Sequence, residues 1–366
     1  MKYQVGRNEL LGALTGVIGV VERRQTLPIL SNVLMEVVED RLQITATDLE
    51  IEMKASAQVQ NLAPGRLTLP ARKLYDICRG LPEGAELSIE AKGDKAVIRS
   101  GRSRYSLACL SADEFASLEL QGEAQTFSIA SAGLRRLIEK TQFAMAQQDV
   151  RYYLNGTLLE LRGDGLRTVA TDGHRLALAE MASPLGLAET LSVIVPRKAI
   201  LELMRLLTGQ DEPVNLSLGS GQLKVDLGHL QLTTKLIDGR FPDYERVIPT
   251  NGDKRVTADR ELVRQALART AILSNEKFKG VRLSLDKGRM VLQTHNPEHE
   301  EAEEELEVDY DGEPLEIGFN VNYLMDALGA LGSAAFTLDL RNSESSGLIQ
   351  AADDSSARYV VMPMRL

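Results

Sequence analysis

The chain has 366 residues, enough for two or three ordinary domains, and its 43% hydrophobic content can supply a core to each. A formal net charge of −10, taken alone, argues against non-specific nucleic-acid binding, which comes mainly from Lys and Arg neutralising phosphates. Its two cysteines, Cys78 and Cys109, have neither paired nor metal-type spacing, which favours free buried thiols in a reducing compartment and makes the cytoplasm the expected location.

The apolar stretch from Leu10 to Val21 follows Lys2 and Arg7, lacks a small-residue cleavage site and runs into Glu22-Arg23-Arg24. It reads as a buried helix rather than a signal peptide, and nothing else approaches the roughly 20 apolar residues that span a bilayer. Thr47-Asp48 is answered by Thr171-Asp172 and then by His295-Asn296, at a constant spacing of 124 residues (171 less 47, 295 less 171). The segment LTLPARKLYDICRGL from Leu67 is echoed by SVIVPRKAILELMRLL from Ser192 and EIGFNVNYLMDALGAL from Glu316, with Asp76, Glu202 and Asp326 in matching places. So long a period means whole domains in tandem, since solenoid repeats recur every 20 to 50 residues or so.

Each copy opens with apolar residues at helical spacing: NELLGALTGVIGVV, then SAGLRRLIEKTQFAMA, then DRELVRQALARTAIL. Ser131 and Asp259 are the expected caps of the second and third. Strand-like runs with Gly, Asp and Asn at tight turns follow, then a second helix, then another pair of strands such as AELSIEAKGDKAVIRSG. The class is α+β, with the two halves of a copy similar in plan. Polar, turn-like stretches near 120–126 and 249–257 set the expected domains at 1–124, 125–250 and 251–366. Joints this short let the copies stack into a stiff arc.

Basic residues gather on the predicted helices or their entrances: Arg23 and Arg24; Arg72, Lys73 and Arg79; Arg135, Arg136 and Lys140; Arg197, Lys198 and Arg205; Arg264 and Arg269. Acid concentrates elsewhere, most densely from Glu298 to Glu307. For any single segment, a solvated face with ion pairs explains the pattern; its recurrence in equivalent helices favours one positive side. The third copy's second helix, VNYLMDALGALG, has no basic residue.

Ten strings in order, TLPIL, TDLE, PARK, ICRGLPEGAE, RSGRSR, QDVRYYLNG, VATDGHRLA, DGRFPDY, AILSNEKF and YVVMPMRL, cover essentially the whole chain. On these residues the chain resembles the bacterial DNA sliding clamps, the β subunits of DNA polymerase III. The resemblance implies three clamp domains per chain and a head-to-tail dimer, a six-domain ring with helices lining the hole and antiparallel sheets outside. Such a ring encircles duplex DNA without reading sequence, and it tethers replicative and repair polymerases and the clamp loader through short linear motifs.

By the same resemblance, DNA contact falls to Arg24, Arg72, Gln148, Tyr152, Tyr153, Arg197 and Lys198. Exposed tyrosine faces suit stacking on an unpaired base while Arg151 or Gln148 approaches phosphate; otherwise one ring packs inward and the other covers a strand. The implied peptide groove takes Leu154, Thr171, Gly173, His174, Arg175 and Leu176 from the second copy. Pro242, Arg246 and Val247 follow, then Asn320, Tyr323 and Ser346. The tail supplies Val360, Val361, Met362, Pro363, Met364, Arg365 and Leu366. Flexible methionines suit a groove that accepts several related peptides. Glu344 stands where some relatives have an apolar residue, which makes that edge more polar here. The implied subunit junction joins Tyr105 and Leu107 to Ile272 and Leu273 of the next chain; as ordinary residues of a helix end, the last two would be core.

Enzyme classes fit poorly. His295 and His299 are four apart, but Pro297 disfavours the helix that would align them, and no third metal ligand is specified. No phosphate-binding Gly-rich loop or nucleophile elbow is present, and no cofactor or metal is expected. The rival reading is an acidic peptide-binding scaffold that never touches DNA.

Overall fold

The structure, a computed structural model, describes residues 1–22, 27–207, 209, 212–250 and 252–365. The first copy runs β1 (Lys2–Gly6), α1 (Arg7–Val17), β2 (Asn32–Val38), β3 (Arg41–Thr47), β4 (Ile51–Gln58), a short extra β5 (Gln60–Ala63), β6 (Gly65–Pro70), α2 (Ala71–Gly80), β7 (Glu86–Lys92), β8 (Lys95–Ser100) and β9 (Ser103–Ala108). The second is β10 (Gln125–Ala130), α3 (Ser131–Thr141), β11 (Gly156–Leu161), β12 (Gly165–Thr171), β13 (Arg175–Ala182), β14 (Leu191–Pro196), α4 (Arg197–Leu206), β15 (Pro213–Gly219), β16 (Gln222–Asp226) and β17 (Leu230–Lys235). The third is β18 (Lys254–Asp259), α5 (Arg260–Thr270), β19 (Gly280–Asp286), β20 (Arg289–His295), β21 (Glu301–Glu307), β22 (Leu315–Asn320), α6 (Val321–Ala330), β23 (Ala335–Leu340), β24 (Gly347–Ala351) and β25 (Ala357–Val361).

Each half of a copy is therefore strand, helix, then a three-strand meander, and the halves exchange their first strands. In the second copy β14 pairs with β11 of the other half, while β10 pairs with β15. The same exchange puts β6 on β2 and β1 on β7 in the first copy, and β22 on β19 in the third. Successive copies are joined by one kind of seam, from the third strand of a first half to the last strand of the next copy. It pairs β4 with β17 and β13 with β25, all antiparallel. The strands of seam type left without a seam are β9 and β21, each at the edge of its sheet.

By internal contact the chain forms two compact units, Met1–Ala132 with Leu201–Leu236, and Gly133–Ile200 with Ile237–Leu366. The first holds the sheets β5-β1-β7-β8-β9 and β10-β15-β16-β17-β4-β3-β2-β6, around a core that includes Tyr3, Leu10, Leu14, Met35, Ile44 and Met53. The second holds β14-β11-β12-β13-β25-β24-β23-β18 and β21-β20-β19-β22, with Phe319, Phe336 and Tyr359 fully buried. No helix among the described residues is long and apolar enough to cross a membrane.

The landmark that recurs every 124 residues is a turn. Asp48 Oδ1 accepts from the N–H of Glu50 and Ile51, Asp172 Oδ1 from those of His174 and Arg175, and Asn296 Oδ1 from those of Glu298 and Glu300. A short side-chain acceptor that satisfies backbone donors just ahead fixes a tight reversal between two strands, which is why Asp or Asn stands there in every copy.

Two local expectations need adjustment. Asp259 caps α5, accepting from Leu262 N–H at 2.9 Å, but Ser131 lies inside α3 as its first residue and is buried. Both cysteines are free, yet Cys109, near the end of its edge strand, is only half-buried while Cys78 is fully enclosed. Burial raises both thiols, Cys78 to about 11, so neither is a ready nucleophile.

Candidate functional site

In the second unit the β13 to β25 seam builds the floor of the expected peptide groove. Leu176 lies opposite Val360 and Arg175 opposite Val361. Leu176 and Val360 share a buried cluster with Leu158, Val169, Leu178 and Tyr244, while Leu154 and Val361 are also buried. Beyond the strand the tail continues along the same path: Met362 N–H donates to His174 O at 2.9 Å, and Met364 N–H to Gly318 O at 2.8 Å. Met362 stays 36% exposed, so its thioether is both fixed by its main chain and available to a partner.

The wall is organised by Arg175. Its guanidinium pairs with Asp172 and Asp326, donates to Phe143 O at 2.8 Å, and lies 4.5 Å from the centroid of the Tyr323 ring. His174 faces the same ring at 6.4 Å. Thr171 Oγ1 donates to Arg175 O and accepts from Gly173 N–H, which locks the turn. Asn320 works mainly as the cap of α6, accepting from the N–H of Asn322 and Tyr323.

The Tyr244–Val247 turn forms a second wall. Tyr244 is held by its hydroxyl, which donates to Glu160 at 2.8 Å and accepts from Arg167 at 2.8 Å; burial pushes that phenol up to about 12. Val247 is 38% exposed, Arg246 reaches solvent while pairing with Asp243 at 2.7 Å, and Pro242 is exposed. Ser346 sits half-buried in the turn before β24, and Pro363 is half-buried in the tail. Arg365 and Glu344, both highly exposed, approach to 3.8 Å. Leu366 lies outside the described residues. A cleft of about 940 Å³ opens between the Asn275–Phe278 turn, the outer face of β19 and β20, and the tail. It shares Met364 and Arg365 with the groove.

The expected DNA-contact residues fall into separate groups. Arg24 lies outside the described residues. Arg72, in the first unit, is exposed and donates to Val21 O. In the second unit Arg197 donates to Met145 O at 3.4 Å, and Lys198 follows it at the start of α4. A carbonyl seats a guanidinium without neutralising it. The loop before β11 presents Gln148 at φ +56°, Val150 at 95% exposure and Tyr152 at 59%, while Tyr153 is half-buried against the groove-floor cluster. The two rings meet edge to face at 5.8 Å. One tyrosine thus packs inward, as the bland alternative has it, while the other stands open.

Other helix cations are paired locally: Arg135 with Glu139, Arg205 with Glu202, Arg264 with Glu261 and Arg269 with Glu304, all within 2.9 Å. Sequence reasoning missed Asp149, whose carboxylate is held down to about 2 by hydrogen bonds from Arg151. The residue spacing Asp-x-Arg was the available signal. It missed Phe143 altogether, because that contact is made by a main-chain carbonyl. Tyr105 and Leu107 are half-buried on edge strand β9; in the short 3-10 turn that follows α5, Leu273 is half-buried and Ile272 is 77% exposed rather than core.

Tandem copies of one domain, joined edge to edge through their sheets and carrying an apolar groove beside one seam, define a modular binding protein. Three family models match in order: the N-terminal domain of the DNA polymerase III beta subunit at residues 1–119, its central domain at 128–243 and its C-terminal domain at 245–365. The beta sliding clamps of Pseudomonas aeruginosa and Escherichia coli K12 are each 52% identical, covering 100% of both chains. A crystal structure of the P. aeruginosa clamp bound to griselimycin superposes with a TM-score of 0.97 at 51% identity, again over 100% of both chains. The chain belongs to the DNA polymerase III beta subunit family, the bacterial sliding clamps. It is a processivity factor of DNA replication, not an enzyme.

Proposed function

We propose that two chains close head to tail into a six-domain ring around duplex DNA, with β9 of one chain completing the seam on β21 of the next. The repeat carries this reading. Both internal seams join a third strand to a last strand, and the one remaining pair of that type is β21 and β9. Because the contact joins unlike surfaces, it generates a ring when the rotation closes. Charge agrees: β21 is EAEEELE, while Arg102 and Arg104 mark the start of β9. Bare strand edges otherwise invite aggregation. Ile272, exposed in the turn after α5, gains an apolar partner at the junction together with Leu273, Tyr105 and Leu107.

Inside the ring, Arg24, Arg72, Arg197 and Lys198 meet phosphates, and Gln148, Tyr152 and Tyr153 meet DNA at the loop. Contacts without base readout let the ring slide. The groove from Leu154 through Thr171–Leu176, Pro242–Val247, Asn320, Tyr323, Ser346 and the tail receives short apolar motifs of the clamp loader and of replicative and repair polymerases. The three domains divide at 124/125 and 250/251, and the protein works in the cytoplasm, with the chromosome. Replacing Ile272 and Leu273 together by Glu should convert the dimer to monomers in sedimentation equilibrium. A double variant that remains dimeric would contradict the junction.

A further inference from the structure

The seam of β4 with β17 has the register of the seam of β13 with β25, and each lies within one compact unit. Glu52 faces Thr233 across the first as Leu176 faces Val360 across the second. Lys235 N–H donates to Glu50 O at 2.9 Å just as Met362 N–H donates to His174 O. The turns match too, with Leu49 at φ +78° and Gly173 at φ +88°. The floors differ in chemistry. By the same pairings, Val169, Leu176, Ile194, Leu348 and Val360 of the groove-floor cluster become Thr45, Glu52, Thr68, Lys224 and Thr233.

The connector between the first two copies is fastened to this polar floor. Thr68 Oγ1 donates to Leu110 O at 2.8 Å and accepts from Leu110 N–H at 3.0 Å. Glu52 Oε2 accepts from Ser117 Oγ at 2.9 Å and from Leu118 N–H at 2.8 Å, while Lys54 Nζ lies 2.9 Å from Oε1. Gln222 Oε1 accepts from Gln121 N–H at 2.9 Å, and Phe115 is buried. Glu52 is only 1% exposed, so its carboxylate needs donors, and the connector supplies two. From this geometry we infer that Glu52 is a specificity-determining residue: it closes the first seam to apolar partner motifs by binding residues 115–118 of its own chain in their place. The inference rests on the groove reading given above and adds what keeps partners out of the matching seam. An apolar motif that displaced the connector would strip both donors from a buried carboxylate, whereas at Leu176 it meets an apolar floor. A cost placed against the wrong site separates two surfaces of one plan. Partners of one chain must therefore share its single groove.

Titration calorimetry on the full-length protein, with an acetylated nonapeptide ending in Leu-Phe as the probe, counts the open sites. The wild type and Glu52→Gln, which keeps an acceptor oxygen, should each take one peptide per chain. Glu52→Leu, with the residue type that stands in the second seam, should take two. Its Leu118 amide should exchange hydrogen about ten-fold faster or more, as expected when a hydrogen bond to a charged group is lost. Ser117→Ala combined with Leu118→Pro removes both donors and leaves the carboxylate, so it should free the connector and still take one peptide. If Glu52→Leu does not fold, Glu52→Met, closer in shape to the native side chain, takes its place. Unchanged Leu118 exchange in the apolar variant overturns the inference, and so does a freed connector with one peptide still bound. A second peptide on the Ser117→Ala, Leu118→Pro variant overturns it as well, because the connector alone would then be the barrier. A wild type that binds no peptide removes the groove reading itself and this inference with it; the other contrary results remove the inference alone.

Discussion

Arg175 illustrates how one side chain can hold a binding wall. It sits 13% exposed among two carboxylates, a carbonyl and two rings, so its removal leaves half-buried Asp172 without its cation. Loss of a charge-assisted hydrogen-bond set of this kind costs about 2 kcal/mol. Arg175→Ala should lower the denaturation midpoint accordingly and weaken groove peptides at least about ten-fold, a difference of roughly 1.4 kcal/mol, in calorimetric titration. Asp149 gives a pH signature. Its folded-state carboxyl titrates near 2 against an ordinary 3.8, so the ion pair contributes above the ordinary value and is lost as pH falls through 2. Carboxyl-detected NMR should place that midpoint near 2 in the wild type and return it toward the ordinary value in Arg151→Ala; an unchanged midpoint in the variant would contradict the assigned cause. Tyr323, His174 and Met362 were legible in the sequence because the family motif names them. Asp149 and Phe143 were not, since the carboxylate partner of a loop arginine and a main-chain acceptor leave no periodic trace.

At the level of elements, the repeat was readable because turn chemistry is local. An Asp or Asn that accepts from backbone donors two to four residues ahead must recur wherever the same reversal recurs. Helix positions followed from apolar spacing, and the cap of α5 from Asp259, whereas Ser131 was placed one step too far out because Ser serves both caps and first turns. The exchange of first strands between half-copies was not legible, because pairing between strands separated by a helix and several other strands is set by packing. Within the meander itself the strands approach closely: a Cβ on Gly165 of β12 would lie 2.1 Å from Met181 O in β13. Gly165→Ala must therefore push β12 from β13 and should cost about 2 kcal/mol or more, read by urea denaturation. Wild-type stability in that variant would mean the hairpin relaxes freely.

For the whole molecule, composition misleads and arrangement informs. A net charge of −10 suits a protein that repels nucleic acid, yet acid is densest on edge strand β21 and much of the helix cation charge is already paired. Arg72 and Arg197, seated on carbonyls, are the better candidates for phosphate contact. Reversing both to Glu should abolish retention on DNA while groove peptides still bind within about two-fold, since distant sites act nearly independently. A scaffold that never touches DNA would be indifferent to the change. The most direct measurement is retention on a nicked circular plasmid after incubation with a clamp loader and ATP, followed by cutting the circle. The ring account predicts protein that survives high salt on the circle and leaves when an end is made. Salt-sensitive retention that is the same on circle and line would contradict it.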